Sequence, residues 1–191
     1  MTIAYKDTDK CTDTILDFIA QLESHGNYNA VIGNAQATDD LGRQTIDQIY
    51  GLMGKLLNSG QPSTAVGRYQ IIQGTMKTLQ ARLKLAGSDK FTPEVQDQLA
   101  LQLLIGRGYP RWWTGQLSDQ QFANALSMEW ASLPDPDKGG KSHYDGVGPN
   151  HALTTLDKVY EMLGRAKGAK NPNTAAPTSP ATALRVPPPL Q

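Results

Sequence analysis

A single cysteine, Cys11, excludes an internal disulfide, so the fold cannot depend on an oxidising compartment, and it excludes a cysteine-rich zinc site as well. Histidine is scarce too: the 3 residues are His25, His143 and His151, no His-Glu-x-x-His pair occurs, and no metal or other cofactor is expected. Neither sign of charge dominates. The 18 basic and 18 acidic residues give a formal net charge of zero, which removes the electrostatic reason to expect nucleic acid or an anionic membrane as partner. No uninterrupted apolar run approaches the roughly 20 residues that span a bilayer. Residues 1–10 are polar and lack an apolar core, so neither membrane insertion nor a secretory signal is expected. Strand-turn-strand alternation and solenoid-length repeats are also missing, which points to a mainly α domain with at most a small hairpin.

What is present suffices for one globular domain with chain left over: 191 residues, 39% hydrophobic and 19% charged. Ile15, Ile19 and Leu22 fall at helical spacing and predict a first helix over 14–22. The following residues, 28–42, read as loop, with room for a short strand or hairpin around Ala30, Val31 and Ile32. Thr45 with Gln48 forms a capping box that opens a second helix over 46–57. Ile72, Met76, Leu79 and Leu83 mark a third, closed by Gly87. Thr92 and Pro93 start a fourth that is apolar nearly all round, as a buried central helix must be. Residues 106–115 break the pattern and carry Tyr109, Trp112 and Trp113, which suit either packing or stacking on a sugar. Ser118 with Gln121 opens another helix toward Trp130, a polar loop fills 132–150, and Leu153, Leu156, Tyr160 and Leu163 predict the last helix. The organisation expected is an arm over 1–13, a domain over 14–166, and a disordered tail over 167–191, rich in Pro, Ala and Thr and suited to a linker or a docking peptide for a partner.

Two stretches carry chemistry. Glu23 falls on the last turn of the first helix, where unpaired carbonyls favour retention of its proton, as a general acid requires; the alternative is a solvated surface carboxylate. Residues 64–70 run Thr-Ala-Val-Gly-Arg-Tyr-Gln. Gly67 allows close backbone approach, Arg68 and Gln70 offer donors, and Tyr69 pairs an apolar face with a hydroxyl, a set able to hold a sugar.

In order along the chain stand Glu23 at a helix end, Thr38-Asp39, Ala65-Val66-Gly67-Arg68-Tyr69-Gln70, Phe91-Thr92-Pro93 with Gln96-Asp97, the Arg107-Gly108 turn, and Trp130-Ala131-Ser132-Leu133-Pro134. This series, over residues 14–165, resembles the lysozyme-like peptidoglycan-cleaving enzymes, specifically the bacteriophage lambda lysozyme-like lytic transglycosylases and phage endolysins. The resemblance implies a lysozyme-like, mostly helical, two-lobed fold whose cleft binds murein glycan strands. It maps the catalytic acid onto Glu23 and the substrate-binding positions onto Gly67, Arg68, Tyr69, Gln70, Asp39 and Tyr144. It implies cleavage of the MurNAc-GlcNAc bond with a 1,6-anhydro product. A hydrolytic muramidase would instead use Asp39 or Asp40 as second carboxylate, and a non-catalytic, virion-borne glycan binder would need no acid. A monomer is expected, either held in the host cytoplasm before release to the wall or carried on the virion.

Overall fold

A computed structural model describes residues 10–32, 35–36 and 39–168. The tail beyond 168 and the Thr38 position lie outside them. Helix α1 spans Lys10–Ser24, so the expected arm boundary at residue 13 falls inside it. Cys11 is buried, because it extends the apolar face of Ile15, Leu16 and Ile19 one turn further back. That face packs most extensively on α7, Leu156–Gly168, through Val159, Met162, Leu163 and Ala166. Leu153 is not part of α7. It is half exposed and lies in the preceding loop.

The capping boxes at Thr45 and Ser118 form, opening α2, Ile46–Asn58, and α6, Asp119–Ser127. Helix α3, Gln73–Leu83, ends at Lys84 in the left-handed region at φ 56. Gly87 instead lies where an added Cβ would sit 2.3 Å from the Asp47 carboxylate. Helix α4, Pro93–Gly106, contacts α1, α3 and α5 and buries Leu99, Ala100, Leu103 and Leu104, the central place its composition requires. The aromatic segment forms a short helix, α5, Tyr109–Trp113. Trp112 stacks on Phe122 at 4.8 Å and donates to Asp119 at 2.6 Å, so it is core and no sugar platform.

The sheet is small. Strands β1, Ala30–Val31, and β2, Ala35–Gln36, pair antiparallel, and Val31 also bridges Val66, which in turn bridges Ile71. Among the described residues no helix is long and apolar enough to cross a membrane.

Candidate active site

Glu23 is the penultimate residue of α1, and the chain turns sharply after it: His25 and Gly26 take φ of 54 and 78, and the Gly26 amide donates back to Ala20. Ser24, fully inside, donates its hydroxyl to the Arg68 carbonyl at 2.7 Å. That bond fastens the helix end to the Gly-Arg-Tyr-Gln turn. From the other side, the Ser132 hydroxyl donates to Glu23 Oε1 at 2.5 Å. Ser132 is itself buried, in the turn after Trp130, and its carbonyl accepts from the Leu153 amide at 2.8 Å. The result is a groove of about 190 Å³ with Glu23 in its wall, lined also by Leu22, Gln70, Ala131, Ser132, Pro149, Asn150, His151 and Leu153.

The electrostatics favour a proton on Glu23. Burial raises its pKa above the ordinary carboxylate value, against a smaller opposing effect of hydrogen bonds from Ser132. The expected cause was the carbonyl field of the helix end. The dominant cause is loss of solvent, because the 130–153 segment closes over the end of α1.

The Gly-Arg-Tyr-Gln turn divides between two sides. Gly67 holds φ 76, and a Cβ there would meet Gln96 Oε1 at 2.4 Å, so the turn admits no side chain at this position. The same oxygen accepts from the Arg68 amide at 2.9 Å, while Gln96 Nε2 donates to the carbonyls of Tyr28 and Phe91. The Arg68 guanidinium reaches Asp17 at 2.6 Å, the Tyr69 hydroxyl at 2.9 Å, the Tyr28 hydroxyl at 3.1 Å and Asp97 at 3.4 Å. Both tyrosine hydroxyls donate to Asp97, Tyr69 at 2.7 Å and Tyr28 at 2.9 Å. Burial and the Asp97 charge push the Tyr28 hydroxyl up to about 12 and raise that of Tyr69 as well. Arg68 and Tyr69 thus line a separate polar cavity with Asp13, Leu16, Asp17, Tyr28 and Asp97, none of which borders the Glu23 groove. Of the four motif residues, only Gln70 lines that groove. Its backbone sits at φ 48, and its side-chain amide donates to the Gly67 carbonyl.

Asp39 and Asp40 line another groove, against Arg43 and α2. Asp40 is engaged as a turn residue: it accepts from the Gly42 amide at 2.9 Å and pairs with Arg43 at 3.6 Å. The Tyr144 hydroxyl donates to the Met128 carbonyl at 2.7 Å, and its ring meets His143 edge-on. The loop bearing it is pinned by buried Asp135, which pairs with His143 at 2.6 Å and accepts from Asn124 and from the Asp137 amide. His25 and His151 have partners of their own, Gln21 and the Pro149 carbonyl. Among the described residues no group of His, Cys, Asp and Glu is placed to hold a metal. Sequence reasoning passed over Asn150, His151 and Ser132 as neighbours of Glu23. Ser132 did stand in the Trp-Ala-Ser-Leu-Pro stretch, but no local pattern shows which carboxylate it meets 109 residues away.

The sequence model of the Endolysin family matches residues 16–166. Among solved structures, bacteriophage lambda lysozyme complexed with a chitohexasaccharide is similar at 25% identity, with 89% of this chain and 97% of that one covered and a TM-score of 0.52. A second structure of lysozyme from bacteriophage lambda gives 24% identity, 88% and 96% coverage, and a TM-score of 0.51. Curated protein sequences give no match.

Proposed function

Since the chain belongs to the Endolysin family and is a lysozyme-type, peptidoglycan-degrading phage enzyme, we propose that it cuts the MurNAc-GlcNAc β-1,4 bond as a lytic transglycosylase, with Glu23 as its one acid and base. The observation that carries this reading is the setting of Glu23. It is a carboxylate whose burial favours the protonated form, in a groove whose described lining holds no second carboxylate. A retaining hydrolase needs a partner carboxylate about 5 Å away and an inverting one about 6.5–9.5 Å away. Asp39 and Asp40 line a different groove, and Asp40 is already committed to its own turn. The complex of the lambda enzyme with a chitohexasaccharide supports a glycan strand as occupant of the cleft.

Protonated Glu23 donates to the glycosidic oxygen as the muramic acid ring flattens toward an oxocarbenium ion. The carboxylate so formed takes the proton of that sugar's own 6-hydroxyl, which closes on the anomeric carbon. Holding the nucleophile on the substrate replaces the water that a hydrolase must position. Gln70 lies where it can meet a sugar hydroxyl. Gly67, Arg68 and Tyr69 act by shaping the turn that presents Gln70 and fixes the end of α1. For Tyr144, whose hydroxyl is occupied, the contribution is its ring face.

Mass spectrometry of released muropeptides tests the reaction type. The expected anhydro product is lighter than a hydrolysed one by one water, about 18 Da. Reducing muramic acid ends, together with a large rate loss in Asp39→Asn, would establish the two-carboxylate muramidase instead. Glu23→Gln is expected to lower the cleavage rate on the order of 10³-fold or more while the far-ultraviolet circular dichroism stays native.

A further inference from the structure

The groove against α2 is much larger than the one around Glu23, about 970 Å³ against 190 Å³, and the glycan reading does not use it. Its chemistry is unlike a sugar site. Among the described residues, none that lines it is aromatic. Its lining includes the acidic Asp39 and Asp40, the basic Arg43 and Lys55, and the aliphatic Leu52 and Leu56. Arg43 is 90% exposed and Asp40 52%, so both remain open to a ligand despite their mutual contact. Gly51 also faces this groove, in the middle of α2, and an added Cβ there would meet nothing within 4 Å. A glycine inside a helix is destabilising relative to alanine, and among the described residues no packing requires it here.

We propose that this groove binds the peptide stem of murein, resting on the reading of Glu23 as the glycan-cleaving residue. The stem is a short chain with carboxylates, a free amine on its diamino acid and small aliphatic side chains. Acidic and basic side chains beside aliphatic Leu52 and Leu56 complement those groups; a neutral glycan has no use for four charges. The reach is also right. Val31, in the groove wall, pairs with Val66, and Val66 pairs with Ile71, the residue after Gln70. Two steps between paired strands place the two grooves roughly 10 Å apart at the backbone. A four-residue stem extends up to about 13 Å from the muramic acid that carries it. Gly51 then leaves space where the stem crosses the helix.

The test compares soluble glycan chains bearing stems with the same chains stripped of them by an amidase. Arg43→Gln combined with Lys55→Gln, and separately Gly51→Leu, should raise KM on the stem-bearing chains on the order of fivefold, with the rate on stripped chains unchanged. Gly51→Leu should in addition raise Tm, since it removes a helix-interior glycine into open space, so a loss of stem-dependent activity cannot come from unfolding. Free stem tetrapeptide titrated into the full chain should shift the amide resonances of residues 51–56, and Gly51→Leu should abolish the shift. Equal losses on both substrates would make the groove a glycan subsite, and no loss on either, or no tetrapeptide shift, would leave it without this ligand. Failure of the wild type to cut either kind of chain, with the tetrapeptide shift intact, would overturn the catalytic reading and keep the binding site.

Discussion

A carboxyl group holds its proton above its ordinary pKa when something removes water from its anion, and in Glu23 the agent is the 130–153 segment laid over the end of α1. Ser132 works against this by donating to the carboxylate. Removing that donor in Ser132→Ala therefore raises the Glu23 pKa further and moves the basic limb of the pH-rate profile to higher pH. A serine that merely packs would leave the limb in place while Tm fell. Burial of the acid also has a consequence for stability. Between 4.5, the ordinary value, and the raised native value, the unfolded chain has released this proton and the native protein has kept it, so stability falls as pH rises through that window and stays lower above it. Glu23→Gln has no such loss: its Tm at pH 7 should equal or exceed the wild type's, and the gap should close below 4.5, as differential scanning calorimetry at the two pH values would show. At this scale the sequence singled out Glu23 as the candidate acid, through its place at a helix end and in an ordered set of motifs. It did not reveal the source of the raised pKa, because that source is tertiary.

Backbone direction within a single turn separates the two roles of Gly-Arg-Tyr-Gln. The motif reads as a row of sugar ligands when its side chains are taken as a set. Once Gly67 and Gln70 adopt positive φ, Arg68 and Tyr69 face Asp97 while Gln70 faces Glu23. The network beneath the turn is therefore structural and buried at its acceptor. Asp97→Ala should cost about 2–5 kcal/mol in urea unfolding, because it leaves the Tyr28 and Tyr69 hydroxyls without their acceptor and Arg68 with Asp17 as its remaining carboxylate partner. A loss below about 1 kcal/mol would mean that water replaces the carboxylate freely. Helix ends were legible where a side chain makes the cap: Thr45, Thr92 and Ser118 each perform the bond their spacing predicts. Where the cap is a backbone conformation, as at Lys84, or where an apolar residue serves the groove rather than the core, as at Leu153, periodicity misplaces the boundary.

The whole molecule is closed by its first and last described helices. Ala166 is fully buried, and Lys167 pairs with Asp119 at 2.6 Å while lying 5.0 Å over the Trp112 ring, so the domain continues past the composition break near residue 165. Truncation after Gly168 should leave Tm and activity on soluble murein fragments unchanged. Truncation after Arg165 should lower Tm by a few degrees, at roughly 2–4 °C per kcal/mol lost. Equal melting of the two would show that the last turn of α7 contributes nothing. The mainly helical, lysozyme-like architecture was readable from motif order and helical spacing. The groove against α2 was not, since it exists only where the hairpin, the 39–43 turn and α2 meet in space.

The bond from the Leu153 amide to the Ser132 carbonyl brings the two ends of a long excursion, residues 133–152, back to the residue that holds Glu23. Closing a loop costs entropy that grows only with the logarithm of its length, so doubling this one would add about 0.6 kcal/mol. Its inner part is fixed by Asp135, His143 and Ser142, while Val147 at its outer bend is 62% exposed between glycines of positive φ. The outer bend is thus a splice point. A foreign segment joined there would hang outside the fold on two short tethers, and the serine that steadies the acid would register neither its length nor its sequence.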